Sequence, residues 1–324
     1  MPKRILVTGG AGYIGSHTVK RLLERGYAVT VLDNMENGNP LPFDVDFVEA
    51  DIGDTPKVRE ILEGREIDAV VHFAASAQVA ESVRDPRKYY RNNVLAGMGL
   101  LDGLMDAGVD KIVFSSSCAT YGVPDAIPID EGETQVPINP YGWTKLFFER
   151  ILRDYDAAYG LRSVSLRYFN AAGADEDGEI GEMHDPETHV IPILLEVALG
   201  KRPGFSVFGT DYDTRDGSCI RDYVHVTDLA DAHIAALEYL FKGGRTDAFN
   251  LGTGDGISVL ELVDAVERIT GKKLKVAMEA RRPGDPAVLV ADNRKAREIL
   301  GWVPEKSSLD NIVETAWKWH SRKV

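Results

Sequence analysis

Cysteine is scarce in this chain, since only Cys118 and Cys219 occur among the 324 residues. They stand far apart, and neither belongs to a closely spaced pair of thiols. Disulfide-stapled domains and cysteine zinc sites need more thiols at shorter spacing. We therefore expect no disulfide framework and no bound metal, and a protein of the reducing cytoplasm.

Long apolar runs and an excess of basic charge are also missing. The first ten residues contain an apolar run of only three, Ile5 to Val7, and no segment reaches the roughly 20 apolar residues of a membrane helix. Thirty-seven Lys and Arg face 51 Asp and Glu, a formal net charge of −14. Because nucleic acids are bound through clustered Lys and Arg, we expect neither a nucleic acid nor a membrane as a partner. An anionic small molecule is still compatible, since a pocket can be locally positive.

The first half of the chain alternates short β-branched runs with longer helical patterns. The apolar residues of these runs are consecutive, as in strands that are covered on both faces. The alternation predicts an α/β fold with a doubly wound parallel sheet. The predicted strands are Arg4–Val7, Ala28–Leu32, Asp46–Ala50, Ala69–Phe73, Lys111–Phe114 and Arg162–Leu166.

Helical patterns follow the strands, and the order becomes irregular after about Ala174. Thr55 is predicted as the N-cap of a helix with Pro56 at its first position. Asp175–Thr188 is acidic and is predicted to be a loop. We expect one domain over residues 1–174, with a return around residues 223–252, and a smaller mixed α/β domain over residues 175–324. The longer predicted helices are Arg87–Ala107, Tyr141–Tyr159, Asp228–Phe241 and Ser258–Thr270.

A glycine-rich segment directly after the first strand predicts a dinucleotide site. Gly9, Gly12 and Gly15 leave room for a tight turn and for backbone N–H groups to approach a pyrophosphate at a helix N-terminus. Asp33 ends the second strand, where a carboxylate can accept hydrogen bonds from ribose hydroxyls but repels a 2′-phosphate. The pattern favours NAD over NADP. A plain strand-to-helix turn, with Asp33 as a turn residue, is the alternative.

Tyr141 and Lys145 are spaced to lie on one face of the helix that Pro140 begins. A phenol with a pKa of about 10 needs a shift of about 3 units to act as a base near neutrality. A neighbouring ammonium and a cationic nicotinamide act in that direction. Ser117, after the fifth strand, could hydrogen-bond the same substrate oxygen. A surface Tyr–Lys pair, and serines such as Ser115 that only satisfy backbone groups, are the alternatives.

Motifs in register over essentially the whole chain resemble the extended short-chain dehydrogenase/reductase family and, within it, the UDP-glucose 4-epimerases. The resemblance implies a Rossmann-type NAD-binding domain over residues 1–174 and a UDP-sugar-binding domain over residues 175–324. The matching motifs are Thr8–His17, Leu32–Asn34, Asp51–Ile52, His72–Ala75, Tyr89–Tyr90, Asn92–Asn93, Ser115–Ser117, Pro140–Gly142, Lys145, Leu166–Asn170, Arg221–Tyr223 and Arg281–Asp285.

By that resemblance Tyr141 takes the proton of the sugar 4-hydroxyl while C4 gives a hydride to NAD, and the transient 4-keto sugar is then reduced on its other face. Lys145 would lower the pKa of the tyrosine and hold the nicotinamide ribose, and Ser117 would orient the 4-oxygen. The implied cofactor contacts are Gly9, Gly12, Tyr13, Ile14, Gly15, Asp33, Asn34, Asp51, Ile52, Phe73, Ala74, Ala75, Asn93, Ser115, Tyr141, Lys145 and Tyr168. The implied substrate contacts are Ser117, Tyr141, Asn170, His189, Val190, Val207, Phe208, Arg221, Tyr223, Arg282, Asp285 and Leu289.

Three positions depart from the usual pattern of these epimerases. Ala77 stands where many members have a lysine, and similar variants without the lysine occur in UDP-arabinose (xylose) 4-epimerases. Leu289 stands where a bulky tyrosine restricts the enzyme to UDP-glucose and a smaller residue admits N-acetylated sugars. His189 stands where many members have asparagine. Pentose and N-acetylated UDP-sugars are therefore alternative substrates.

Other members of the family supply the alternative functions. The nucleotide-sugar 4,6-dehydratases use an Asp-Glu pair where this chain has Cys118 and Ala119, and UDP-glucuronate decarboxylases use a Glu at the second position. A non-catalytic NAD-sensing protein would be expected to lose Tyr141 or Lys145. The resemblance also implies a homodimer formed by helices Arg87–Ala107 and Tyr141–Tyr159.

Overall fold

A seven-stranded, wholly parallel sheet organises the computed structural model, which describes residues 1–282 and 286–322. Along the sheet the strands stand in the order β11-β6-β5-β4-β1-β2-β3. Every neighbouring pair is parallel. In chain order the strands are β1 Arg4–Thr8, β2 Ala28–Asp33, β3 Asp46–Glu49, β4 Ala69–His72, β5 Lys111–Ser117, β6 Arg162–Tyr168, β7 Asn170–Ala172, β8 Phe205–Phe208, β9 Ile220–Arg221, β10 Tyr223–His225, β11 Asp247–Leu251, β12 Ile257–Ser258, β13 Val276–Glu279 and β14 Val288–Leu289.

The consecutive apolar residues of the strands place apolar side chains on both faces of the sheet, where helices cover them. Successive side chains of a strand point to opposite faces. Ile5 and Val7 therefore pack into one core with helices α1 and α8, while Leu6 packs into a second core with α2, α5 and α6. The α/β doubly wound fold predicted from the sequence is confirmed. The helices are α1 Tyr13–Glu24, α2 Thr55–Gly64, α3 Val79–Arg84, α4 Pro86–Tyr89, α5 Gly97–Ala107, α6 Pro140–Tyr159, α7 Val190–Ala198, α8 Val226–Phe241, α9 Val259–Thr270 and α10 Leu309–Ser321.

Two helix predictions are wrong in detail. The N-cap of α2 is Asp54, whose carboxylate accepts from the Lys57 N–H at 3.1 Å, so Thr55 is the first helical residue and Pro56 the second. The predicted helix Arg87–Ala107 is three segments, because a π-helical stretch, Tyr90–Ala96, separates α4 from α5. Hydrophobic periodicity does not distinguish the two kinds of helix over so short a stretch.

The irregular part of the chain builds small sheets and then rejoins the large one. The small sheets are β10-β7, β12-β9-β14 and β13-β8. Strand β11 pairs in parallel with β6 and becomes the edge of the seven-stranded sheet. Residues 175–188, all of them described, form no helix or strand beyond an isolated bridge between Ala174 and Gly181. The domain boundary at residue 174 stays a prediction.

No helix within residues 1–282 and 286–322 combines the length and the apolar character that crossing a membrane requires.

Candidate active site

A cleft of about 630 Å³ opens at the carboxyl edge of the large sheet, between the sheet and the irregular part of the chain. Open α/β sheets bind ligands at this edge. The predicted cofactor residues that line the cleft are Gly9, Gly12, Tyr13, Ile14, Gly15, Asp33, Asn34, Asp51, Ile52, Phe73, Ala74, Ala75, Ser115, Tyr141, Lys145 and Tyr168. The predicted substrate residues that line it are Ser117, Tyr141, Asn170, His189, Val190 and Tyr223.

The glycine loop brings the backbone of β1 close to that of β4. Gly9 has a φ of +71°, and a Cβ there would lie 2.5 Å from the Ala74 nitrogen. A Cβ on Gly15 would lie 2.2 Å from the Gly9 carbonyl oxygen. Helix α1 begins at Tyr13 after Gly12, which offers no side-chain cap. The first N–H groups of α1 are therefore available to an anion at the cleft.

Asp33 is buried at the end of β2, and its carboxylate is already oriented by the backbone. One oxygen accepts from the Ala11 N–H and the other from the Met35 N–H, both at 2.9 Å. Asp33 therefore does stabilise the backbone at the strand end, as its alternative assignment as a turn residue requires. Since each carboxylate oxygen has a second lone pair, these two bonds leave Asp33 able to accept from a further donor. Asn34 beside it donates weakly to Asp51, at 3.4 Å.

Helix α6 carries Tyr141 and Lys145 to the cleft. Its N-cap Asn139 accepts from the Gly142 N–H at 2.8 Å, and Pro140 occupies the first turn. The Lys145 ammonium lies 5.7 Å from the centre of the Tyr141 ring and donates to the Ser115 carbonyl at 2.7 Å. The predicted pairing of phenol and cation on one helix face is confirmed.

Burial shifts the pKa values of Tyr141 and Lys145 in opposite directions, so that the neutral form of each side chain is favoured. It raises the pKa of Tyr141 to about 12, against the lowering effect of a hydrogen bond from Ser117. It also lowers the pKa of Lys145 to about 7, while the charge of Glu149 opposes that shift. The lowered tyrosine pKa expected from the sequence is thus not produced by the side chains alone, because desolvation of the phenolate exceeds the lowering effect of the Ser117 hydrogen bond.

The serines at the end of β5 make different contacts, and the Ser115 hydroxyl does not bond a backbone group as the sequence suggested. The Ser115 hydroxyl bonds the Tyr168 hydroxyl, and its carbonyl holds Lys145. Ser117 bonds the reactive phenol and also accepts from the Ala119 N–H at 3.1 Å. Ser117 therefore faces the chemistry of the cleft, whereas Ser115 has a supporting position.

Asn93 does not line the cleft, but it bonds to residues of the cleft wall. Its amide accepts from the Ser76 N–H at 2.8 Å and donates to the Ser76 carbonyl at 2.9 Å and to the Thr144 hydroxyl at 3.0 Å. These bonds fix the loop after β4 against α6. Asn93 thus holds that loop, which includes Phe73 and Ala74, in place.

The remaining described substrate residues do not line the cleft, and four of the five lie in strands of the small sheets. Val207 and Phe208 are in β8, and the Arg282 guanidinium stacks 3.8 Å from the centre of the Phe208 ring. Arg221 pairs with Leu289 between the parallel strands β9 and β14. Leu289 packs in a cluster with Phe169 and Cys118 next to Ser117. Asp285 lies outside the described residues.

The roles of Glu149 and Arg167, which support the site, were not predicted from the sequence. Glu149, one turn beyond Lys145, forms a fully buried bidentate ion pair with Arg167, at 2.9 and 2.6 Å. The Ser116 hydroxyl and the Tyr121 hydroxyl complete this network. The spacing of Tyr141, Lys145 and Glu149 at successive helical turns was the signal available in the sequence.

Ala77, at the position where many of the epimerases have a lysine, lines the cleft.

Comparisons with known proteins agree with this geometry. The family model described as NAD dependent epimerase/dehydratase family matches residues 5–252. A UDP-glucose 4-epimerase of Rhizobium meliloti (strain 1021) is 53% identical over 325 residues, covering 98% of this chain and 97% of the relative.

Two solved structures extend the likeness to three dimensions. The crystal structure of UDP-glucose 4-epimerase from Brucella ovis in complex with NAD has a TM-score of 0.96 and 54% identity, and 97% of each chain is covered. The UDP-glucose 4-epimerase from Bifidobacterium longum in complex with NAD⁺ and UDP has a TM-score of 0.92 and 39% identity, covering 99% of this chain and 98% of that one. The chain belongs to the NAD dependent epimerase/dehydratase family.

Proposed function

We propose that this protein is an NAD-dependent UDP-glucose 4-epimerase, an isomerase that interconverts UDP-glucose and UDP-galactose through a transient 4-keto sugar. The observation that carries the proposal is the convergence of Tyr141, Lys145 and Ser117 beside the glycine loop. The relatives from Brucella ovis, solved with NAD, and Bifidobacterium longum, solved with NAD⁺ and UDP, support it.

The residues at the glycine loop fit a dinucleotide. The uncapped start of α1 provides N–H donors for a pyrophosphate, and a side chain at Gly9 or Gly15 would clash with the loop backbone at Ala74 or Gly9. Asp33 retains acceptor capacity for ribose hydroxyls. Bound in its oxidised form, NAD would supply the hydride acceptor and a positive charge beside the phenol.

Tyr141 acts on the proton of the sugar 4-hydroxyl. Its buried phenol needs nearby positive charge to ionise, and the protonated form of Lys145 is accessible near neutral pH because its pKa is about 7. Ser117 already bonds the phenol and is placed to share the same sugar oxygen. Tyr141 thus removes the proton during oxidation and returns it during reduction.

The small sheets form the UDP side of the site. Asn170, His189, Val190 and Tyr223 line the cleft, and Arg221 brings a guanidinium beside it. Arginine suits a diphosphate because its planar fork makes charge-assisted, paired hydrogen bonds. The other residues assigned to this side are Val207, Phe208, Arg282, Asp285 and Leu289.

Pentose and N-acetylated UDP-sugars are the second substrate candidates. Leu289 packs in a cluster with Phe169 and Cys118, which line the cleft beside Ser117, and it fills less space there than a tyrosine. Elimination of water or CO₂ is disfavoured, because Cys118 and Ala119 provide no carboxylate next to Ser117. A binding protein without catalysis would not need the buried Tyr141.

The direct test incubates purified protein with UDP-galactose, UDP-arabinose and UDP-N-acetylgalactosamine in separate reactions. Products are separated by chromatography while absorbance follows reduced nicotinamide. We expect inversion of UDP-galactose to UDP-glucose without net accumulation of reduced cofactor. Accumulation of reduced cofactor would indicate a dehydrogenase instead, and recovery of unchanged sugar would contradict catalysis.

Replacement of Tyr141 by phenylalanine tests the proton-transfer step. Since general acid–base catalysis contributes roughly 10²–10⁴-fold, the Tyr141→Phe protein should turn over at least about 100-fold more slowly while it still binds UDP. Turnover and UDP affinity are measured on the same preparation, with Tyr159→Phe, at the far end of α6, as the matched control. A Tyr141→Phe enzyme as fast as the control would remove the phenol from the reaction.

The oligomeric state of the protein and its cellular location are also part of the proposal. Apolar side chains are exposed along the segment that precedes α5 and on α6, with Leu95 65% and Phe147 41% exposed. Surfaces of this kind are typical of protein interfaces. We place the enzyme in the cytoplasm as a homodimer formed by these two helical regions.

A further inference from the structure

Four side chains from one short segment converge beside the cleft. Glu182, His184, Glu187 and His189 each offer one ligand atom, and all four atoms lie within 4.8 Å of one another. The segment lies between the Ala174–Gly181 bridge and the start of α7. The two carboxylates are buried, with side chains 5% and 4% exposed.

The separations fit a single small cation. Nδ1 of His189 lies 2.7 Å from a Glu182 oxygen and 3.1 Å from a Glu187 oxygen. Nδ1 of His184 lies 3.3 and 3.8 Å from oxygens of the same two carboxylates. A tetrahedral zinc site with bonds of about 2.0–2.2 Å has ligand–ligand separations of roughly 3.4 Å. The four separations, from 2.7 to 3.8 Å, lie on both sides of that value.

Backbone contacts hold the segment in this arrangement. A Glu187 carboxylate oxygen accepts from the N–H groups of Thr188, at 2.7 Å, and His189, at 2.8 Å. The Glu182 carbonyl accepts from the Trp319 indole at 3.0 Å, and the Glu187 carbonyl accepts from Arg202 at 3.1 Å. The same Glu187 oxygen faces the His189 ring at 3.1 Å, and the second Glu187 oxygen faces the His184 ring at 3.8 Å.

The cluster also contains an unsatisfied nitrogen. Nδ1 of His184 is covered, yet within the described part of the chain it has no partner in hydrogen-bond geometry. Buried polar atoms without a partner are rare and call for an explanation. Two buried carboxylates in addition require compensating positive charge. One divalent ion would satisfy both needs, as would two protonated imidazoles in part.

We propose that Glu182, His184, Glu187 and His189 bind one divalent transition-metal ion, with Zn²⁺ as the best fit. Two imidazoles with two carboxylates suit zinc and its neighbours, whereas Mg²⁺ and Ca²⁺ prefer oxygen ligands alone. Four protein ligands make a closed, structural site. The ion would fix the segment between Trp319 of α10 and the cleft, where Glu182, His184 and His189 form part of the wall.

The expectation of no metal came from the two cysteines alone. Carboxylate and imidazole ligands leave no trace in a cysteine count, but the alternation Glu-x-His-x-x-Glu-x-His from residue 182 to residue 189 is readable in the sequence.

The experiment measures zinc binding by the full chain. Protein is stripped with a chelator, dialysed into metal-free buffer and titrated with ZnCl₂ in a calorimeter, and zinc content after gel filtration is measured by mass spectrometry. Titration with Co²⁺ provides the visible absorption that is typical of tetrahedral coordination. The variants are His184→Asn and Glu187→Gln. His320→Asn is the matched control, because His320 is near the two carboxylates but outside the four-atom set.

The expected result is one Zn²⁺ per wild-type or His320→Asn chain, with affinity reduced more than about 100-fold in His184→Asn, beyond the loss of an outer-shell partner. Circular dichroism checks that each variant is folded, and Glu187→Gln provides the same comparison if His184→Asn is not. Wild-type protein that retains no stoichiometric zinc, or equal affinity in both ligand variants and the control, would overturn the proposal. The readout is independent of epimerase activity.

Discussion

Tyr141 and Lys145 lie one helical turn apart in a site that disfavours charge on either of them. Burial raises the pKa of Tyr141 to about 12 and lowers the pKa of Lys145 to about 7. Of the two, Lys145 is the group that changes its protonation near neutral pH. Its titration should therefore be visible in the stability of the protein without added NAD.

The stability of the protein should rise with pH because of Lys145. Its pKa is 10.5 ordinarily and about 7 in the folded protein, so between these values the unfolded chain binds more protons and stability increases with pH. Each pH unit contributes up to about 1.4 kcal/mol. From pH 7 to pH 9, wild type should gain about 2 kcal/mol of unfolding free energy relative to Lys145→Met, measured by denaturant titration.

The matched control for this measurement is Lys57→Met, since Lys57 is in an exposed ion pair with Glu60. The change between pH 7 and pH 9 should be larger for Lys145→Met than for Lys57→Met. A Lys145→Met difference that does not change with pH would show that the ammonium is solvated in the folded protein.

Leu289 provides a residue-scale test of substrate choice. It packs in a small apolar cluster with Phe169 and Cys118, which both line the cleft, so we expect the larger tyrosine to narrow the cleft at these two residues. We expect Leu289→Tyr to reduce kcat/KM for UDP-N-acetylgalactosamine at least about tenfold more than for UDP-galactose, a difference of about 1.4 kcal/mol. Leu289→Met, of similar volume, is the control. Equal losses on both substrates would refute the assignment of Leu289 as a gate.

Contact between two elements sets the separation of Tyr141 from Ser117. Helix α6 begins against the short 3-10 turn Cys118–Thr120, and a Cβ on Gly142 would lie 2.5 Å from the Ala119 carbonyl oxygen. Only a residue without a side chain permits this approach. The geometry of the reactive pair therefore depends on packing between elements as well as on the pair itself.

Replacing Gly142 by alanine should separate these elements. The added methyl group forces α6 away from the turn, so Gly142→Ala should destabilise the fold by about 1–3 kcal/mol, as overpacking does, and slow turnover. Thermal unfolding and kcat are the measurements. Gly64→Ala is the control, because a Cβ on Gly64 of α2 meets nothing within 4 Å. Wild-type turnover in Gly142→Ala would show that the contact is not needed.

Regular elements could be predicted from the sequence, and their junctions could not. The six predicted strands appear with ends shifted by up to three residues, because consecutive apolar residues are a direct consequence of burial on both faces. The π-helical stretch at Tyr90–Ala96 was missed because hydrophobic periodicity does not distinguish it from an α-helix. The Asp54 cap was missed because Thr55, the next residue, is also a favoured N-cap type. For the site, the glycine loop and the Tyr141–Lys145 pair follow from spacing. The Glu149–Arg167 ion pair connects α6 to β6 and could not be derived from local sequence.

At the scale of the whole molecule, the exposed apolar side chains Tyr90, Leu95, Met98 and Phe147 predict a dimer. Burying them removes apolar area from water, which favours association. Light scattering at micromolar concentration should give twice the chain mass of 35.6 kDa. The doubly charged variant Leu95→Asp/Phe147→Asp should give the mass of one chain, and a wild-type monomer would contradict the interface.

Strand β11 has a consequence for anyone who wishes to study the cofactor-binding half in isolation. It is supplied by residues far beyond the nominal boundary, yet it hydrogen-bonds along β6, and α8, which leads to it, covers one face of the sheet together with α1. In a fragment that stops at Ala174, β6 would be an exposed edge strand with unpaired backbone groups. The valines and leucines that α8 covers in the full chain would also be exposed to water. Such a piece would aggregate on expression, so the chain must be handled as one indivisible unit.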